Sequence, residues 1–367
     1  GMLYTSKGVP VKDKDGNTIT SEIKFTASSS VMEREMEFTF DATGLEGTDV
    51  VVFEELYVGS KYVAGHKDPS DEGQTIHFPG IKTEATDSET GDHISKADSE
   101  ITLVDTVSYT NLRPGKTYKV TGTLMDKETG KAILDAEGKE ITAETEFKAE
   151  KSDGTVEVTF VFDGSGLAGK TVVVFENLYY KDRLFAVHAD INDKEQSVQV
   201  PKIGTQAMDE VSLIDVTKAD GEITIIDSVA YENLIPGYTY RLVGILMDAA
   251  TGEALLDDDG KEITAEKEFV ANDKSGAATF TETAVSGINT DGEDGLTDPY
   301  GEQVFTCDAC GHRLSADLQD ADAIAAARAE MEGHAKTHEM VAGSGTVEMA
   351  FTFKGESLAG TKLVVFE

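Results

Sequence analysis

The chain has 367 residues, with 32 Lys and Arg against 69 Asp and Glu, for a formal charge of −37. That balance disfavours nucleic acid and anionic membrane surfaces, both of which are held by basic residues, while the apolar share still suffices for packed cores rather than a disordered acidic chain. The length fits two to four domains, no apolar run is long enough to span a membrane, and two cysteines three residues apart cannot be what staples the chain together.

Repetition organises what remains. The segment from Glu100, "EITLVDTVSYTNLRPGKTYKVTGTLMD", returns from Glu222 as "EITIIDSVAYENLIPGYTYRLVGILMD", an offset of 122. The same offset carries "GLEGTDVVVFEELY" at Gly44 into "GLAGKTVVVFENLY" at Gly166. One unit is thus a domain of ordinary size. Residues 1–79 hold only the later part of a unit, since "GMLYTSKGVPV" lines up with "TLMDKETGKAI". No signal peptide is visible, and Gly1 reads as a remnant ahead of the start residue Met2, so that absence says little about the native location. Residues 80–202 form a complete unit. Residues 203–367 form a third that stops at "KLVVFE", before its last strand.

The elements of the complete unit read as strands in order. "ITLVDTVSY", "KTYKVTGTLMD", "TVEVTFVFD" and "KTVVVFENLYY" are rich in β-branched and aromatic residues with partial alternation, and Gly, Asn, Asp and Pro punctuate them. "KETGKAILDAEGKEI" predicts turns around a short strand. Short strands with little helical pattern predict an all-β chain of tandem immunoglobulin-like β-sandwich repeats. An up-and-down barrel is the alternative.

The third unit carries a foreign stretch at about 286–344. Cys307 and Cys310 form a knuckle-like pair ahead of a helical pattern through Leu318, Ala321, Ile324, Ala325, Arg328 and Met331. His334 and His338 share one helix face. Two thiolates and two imidazoles suit tetrahedral zinc, with His312 as a substitute ligand. The pattern resembles a Cys2His2 zinc finger with a lengthened spacer. Its acidic helix argues against DNA, so a structural zinc clip is expected. A Cys307–Cys310 disulfide or free thiols are the alternative.

Five positions recur between the units, all at the repeat offset except Glu367, which the foreign stretch displaces. Thr83 is matched by Thr205, Asp105 by Asp227, and Glu176 by Glu54 and Glu367. His188 and Gln196, eight residues apart in "HADINDKEQ", are matched by His66 and Gln74 in "HKDPSDEGQ". A threonine hydroxyl becomes a nucleophile when a base takes its proton, and His188 can be that base. The Gln196 carbonyl would be the electrophile. Asp105 and Glu176, if close and buried, would share a proton and stabilise the oxyanion. Ammonia would leave and a Thr83–Gln196 ester remain, formed once and without turnover. Thr86 competes with Thr83 for the role of nucleophile. "DINDKE" alone also reads as an acidic loop or a weak calcium site.

"VVVFE", the "DTV" strand and the His-to-Gln spacing resemble the ester-bond domains, or VaFE repeats, of Gram-positive surface adhesins. The resemblance implies immunoglobulin-like modules stacked into stalks, each cross-linked between its first and last strands by a threonine–glutamine ester. The family roles fall on Thr83, Asp105, Glu176, His188 and Gln196. The implied setting is extracellular and attached to the cell wall, with no cofactor for ester formation. An adhesin module contacting an unidentified host ligand through the zinc insert is the alternative, and a hydrolase built on Asp105 and Glu176 a third reading. The incomplete end units further suggest head-to-tail association, the Gln74 strand of one molecule completing the third unit of the next, with a Thr205–Gln74 ester.

Overall fold

Strands dominate the computed structural model, which describes residues 1–211, 214–219, 221–272, 276–277, 280–285, 302–307, 311–317, 320–337, 339–356 and 358–367. The chain clusters into two units: Gly1–His93 with Asp98–Asp163 and Val172–Val198, and Ile94–Ala97 with Gly164–Thr171 and Gln199–Glu367.

In the first unit, β1 (Met2–Thr5), β2 (Asp49–Val58) and β3 (Lys61–His66) form a sheet, and β4 (Thr75–His77) also pairs with β2. Leu3, Val11, Ile19 and Val50 make its core, with Phe38 and Phe40 packed against it. β5 (Gly80–Asp87), β6 (Ile101–Thr110), β7 (Thr117–Asp126), β8 (Lys131–Ala132), β9 (Thr142–Lys148), β10 (Gly154–Phe162), β11 (Thr171–Tyr180), β12 (Arg183–His188) and β13 (Ser197–Gln199) follow. They make two sheets. One has the order β10-β6-β5. The other runs β12-β11-β7-β8, with β9 also on β7 and β13 on β11. Residues 32–40 correspond to β10 by the repeat offset yet form no strand. β10 pairs with β6, and residues 1–79 contain no counterpart of β6.

Side-chain alternation explains why the two sheets face each other. On β6 the inward phase is Ile101, Leu103, Asp105, Val107 and Tyr109; on β11 it is Val172, Val174, Glu176 and Leu178. Gly122 on β7 lets the sheets close, because a Cβ there would lie 2.5 Å from Phe160 Cζ on β10. Phe160 is fully buried, and its truncation to Ala would cost about 3–5 kcal/mol. Two facing sheets make a sandwich, not a barrel.

The second unit repeats the plan. β14 (Lys202–Asp209), β15 (Glu222–Glu232), β16 (Thr239–Asp248) and β17 (Thr264–Val270) precede a long excursion. The excursion holds β18 (Gly276–Ala277), β19 (Phe280–Val285), β20 (Glu302–Cys307), β21 (Arg313–Asp317), α1 (Ala321–Ala335) and β22 (Glu339–Met340). β23 (Gly345–Lys354) and β24 (Leu363–Phe366) resume the sandwich, whose sheets are β14-β15-β23 and β17-β16-β24. Gly244 faces Phe351 as Gly122 faces Phe160.

The framework holds on both sides of the excursion. The Ala149 N–H donates to Lys116 O at 3.0 Å, and the Ala271 N–H to Tyr238 O at 2.9 Å. The Leu112 N–H donates to Ser152 O, and the Leu234 N–H to Gly343 O, both at 2.9 Å. The excursion therefore leaves after Ala271 and returns by Gly343, and its sheet β19-β20-β21 begins at Phe280, ahead of the Ser286 start expected from sequence. α1 opens on Asp320, whose carboxylate accepts from the Asp322 and Ala323 N–H groups. Its packed face also differs from the expected one. Met331, Ala335, Ile324 and Ala327 pack with Phe305, Cys307 and Leu314. Ala321, Ala325 and Arg328 are exposed, the Arg328 guanidinium lying 6.0 Å from the Phe305 ring centre. Leu318 lies outside the described residues.

Candidate functional site

Strand alternation chooses between the two candidate threonines. On the edge strand β5, Thr83, Ala85 and Asp87 are buried, and Thr86 falls on the other phase. The β5–β6 register sets Ala85 opposite Asp105 and Thr83 opposite Val107, so Thr83 and Asp105 lie diagonally on one face. Glu176 reaches the same interior from the facing sheet. Gln196 is held to both sheets by backbone: the Val174 N–H donates to Gln196 O at 3.1 Å, and the Ala85 N–H to the adjacent Glu195 O at 2.8 Å.

The side chains meet between the sheets. Thr83 Oγ1 donates to Glu176 Oε2 at 3.2 Å. The Gln196 Nε2 amide contacts both Thr83 Oγ1 and Glu176 Oε2. Thr83 is 7% exposed; Asp105, Glu176 and Gln196 are 0% exposed. The site is therefore sealed from bulk water.

Burial dictates the protonation. It raises the Asp105 carboxyl to about 6, with Glu176 hydrogen bonding and the nearby His188 pulling it back down. It raises Glu176 to about 10, with the Asp105 charge adding to the rise. At neutral pH, Glu176 is the protonated member of the pair. Were both ionised, both Asp105 oxygens and Glu176 Oε1 would be buried without a partner. A proton on Glu176 Oε1, donated to Asp105, satisfies two of the three and leaves Oε2 to accept from Thr83 and Gln196.

His188 sits opposite Glu176 in the β11–β12 register. Its Nε2 bonds to Asp193 Oδ2 at 2.8 Å, not to Thr83, whose hydroxyl goes to Glu176. Asp193 is a site residue that the sequence reading missed. The copy in the first repeat makes the same bond, His66 Nε2 to Asp71 Oδ2 at 2.7 Å. An aspartate five residues after each histidine was the available signal.

A family model for the T-Q ester bond containing domain matches residues 1–78, 79–200, 201–293 and 312–367. The chain belongs to this family. Among solved structures, the T-Q domains here are similar to an adhesin from Mobiluncus mulieris containing intramolecular disulfide, isopeptide and ester bond cross-links. One crystal form has 16% identity over 60% of this chain and 90% of that one, with TM-score 0.28. A second has 15% identity over 78% and 97%, with TM-score 0.30. The major pilin subunit of Bacillus cereus has 12% identity over 87% and 89%, with TM-score 0.13. No curated protein matches the chain significantly.

The partial T-Q repeats hold only parts of the constellation. In the first, Glu54 faces His66 in register, and burial raises its carboxyl. Gln74 ends a short 3-10 turn, half-buried. In the third, Asp227 is fully buried with neither oxygen bonded, and burial raises it to about 6. Thr205 and Glu367 are exposed there and do not join it.

Of the expected zinc ligands, Cys307 is buried in the insert core. Its N–H donates to His312 O at 2.9 Å and its carbonyl accepts from the Gly311 N–H at 2.8 Å. The His312 and His334 rings stand 4.4 Å apart, centre to centre. Cys310 and His338 lie outside the described residues.

Proposed function

We propose that this chain is a structural segment of a bacterial cell-surface adhesin, attached to the cell wall in its full setting. Its complete repeat would lock itself with a Thr83–Gln196 ester. The observation that carries the reading is one carboxyl oxygen, Glu176 Oε2, in contact with both the attacking hydroxyl and the leaving amide nitrogen. Thr83 Oγ1 attacks Gln196 Cδ. The Glu176 Oε1 proton passes to Asp105, so that Oε2 takes the threonine proton and hands it to Nε2; the C–N bond breaks, the new C–O bond remains, ammonia leaves, and Asp105 returns the proton to Glu176. Atoms and charge balance without a cofactor. This assigns the direct base role to Glu176. His188, held by Asp193, instead tunes the charge of the Asp105–Glu176 pair. Full burial of that pair leaves a hydrolase no substrate cleft.

The ester would join β5 to the segment entering β13, the first and last strands of the repeat. Tension on the chain ends would then bypass the strands between them, which suits a stalk. In the insert, Cys307, Cys310 and His334 with His338 or His312 would hold a structural zinc ion. In the third repeat, the groove lined by Ala207, Val216, Ile225 and Leu363 would accept the Gln74 strand of a second copy; a chain that stays monomeric at high concentration sinks that extension.

Intact mass under denaturing, metal-free conditions tests the ester. The expected result is a chain lighter by one ammonia, restored to the calculated mass by Gln196→Ala, and cleaved at the ester by hydroxylamine. An unaltered mass overturns the proposal.

A further inference from the structure

Beside the buried cluster, on the outer edge of the same repeat, three side chains from separate segments converge. Glu84 lies on β5 next to Thr83. His93 lies in the loop that follows β5. Glu195 precedes Gln196. One ligand atom from each lies within 4.8 Å of the others. We propose that Glu84, His93 and Glu195 form a zinc site that clamps the glutamine segment onto the threonine strand.

The histidine is prepared for this role. His93 Nδ1 lies 2.9 Å from Ala85 O. A carbonyl only accepts, so Nδ1 carries a proton and Nε2 is the ring nitrogen left to bind a metal. A backbone carbonyl fixing the tautomer is a common outer-shell feature of metal-bound histidine. Nε2 stands 3.8 Å from Glu195 Oε2, too far for a hydrogen bond. Ligand bonds of about 2.0–2.2 Å put two atoms on one zinc ion roughly 3–4 Å apart. An imidazole with two carboxylates suits zinc and its neighbours better than calcium, which prefers oxygen ligands alone. Water would complete the shell on the exposed side.

The other repeats supply a built-in control. At the repeat offset, Glu84 becomes Gln206, His93 becomes Asp215, and Glu195 corresponds to Gly73. Neither partial repeat can assemble the set. The clamp reinforces the Ala85–Glu195 backbone bond at the two positions that flank the Thr83–Gln196 contact. Its metal affinity does not depend on whether the ester forms.

The test uses the full chain. Zinc bound per chain is measured by equilibrium dialysis for the wild type, His93→Ala, Glu84→Gln and Glu195→Gln. Each variant is expected to bind one ion fewer than the wild type, whatever the insert binds, with an unchanged far-ultraviolet spectrum. Zinc should also protect His93 from carbethoxylation, read by peptide mass, and calcium should not. Unchanged stoichiometry in His93→Ala, or equal protection by calcium, overturns the proposal. If His93→Ala fails to fold, the two exposed glutamate variants decide the matter: unchanged stoichiometry in both rejects the site. Ester formation, read by intact mass, is scored separately.

Discussion

Removing either end of the proposed cross-link should have the same large effect, and removing both should add little. Thr83 and Gln196 are 113 residues apart in sequence. Closing a loop of that length withdraws about 4.8 kcal/mol of chain entropy from the unfolded state at 25 °C. The repeat has about 120 residues, so its unfolding entropy near the midpoint is about 0.25 kcal/mol/K, and the cross-link is worth about 19 °C in Tm. Thr83→Val keeps the side-chain shape without the hydroxyl, and Gln196→Leu fills much of the amide's space. Each single variant loses the whole cross-link, and the double variant loses it once. The two single shifts should therefore sum to about 19 °C more than the shift of the double. Calorimetry separates this repeat from its neighbours, and intact mass on the same samples reports the bond. Additive shifts, with all four chains at their calculated masses, would refute the reasoning.

Three further outcomes are expected. Glu176→Gln keeps the shape but removes the proton carrier, and should slow ester formation about 10²-fold or more, followed by intact mass after refolding. Asp193→Asn should slow it about tenfold or more by freeing His188, while Asp190→Asn, an exposed neighbour, leaves the rate unchanged. In the never-esterified Thr83→Val chain, Asp105 has a folded value of about 6 against an ordinary 3.8. Its contribution to stability is complete below the ordinary value and is lost as pH rises through about 6, with Glu176 extending the loss toward 10. The urea midpoint should fall between about pH 4 and 7, and Asp105→Asn should flatten that fall.

The strands were legible from alternation and the two acids from their recurrence between repeats; the structure adds that the acids sit on the buried phase. Asp105 occupies an apolar phase between Leu103 and Val107, and Glu176 another between Val174 and Leu178, where an acid has no ordinary business. Copying at a fixed offset separated Gln196 from Gln199, whereas the burial phase of β5 told Thr83 and Thr86 apart. Asp193 was hidden among Asp190, Lys194 and Glu195, where one more acid stands out to no one. The packed face of α1 was misread because alanines fill every side of it, so its periodicity has little contrast. The start of the excursion was misplaced because "TFTETAV" reads like a sandwich strand, whereas Phe280–Val285 pairs with Glu302–Cys307 inside the insert. The Glu84, His93 and Glu195 group draws on three segments that only folding brings together.

The excursion in the third repeat shows where this architecture tolerates foreign material. It departs after Ala271 and rejoins at Gly343, and the hydrogen bonds on either side match those at Ala149 and Ser152 of the complete repeat. The corresponding turn there is only a few residues long and carries none of the reacting groups. An engineer wishing to graft a reporter or a binding peptide onto a self-locking module would splice it between Glu150 and Lys151, where the host sandwich has already accepted a small folded passenger in its sister copy.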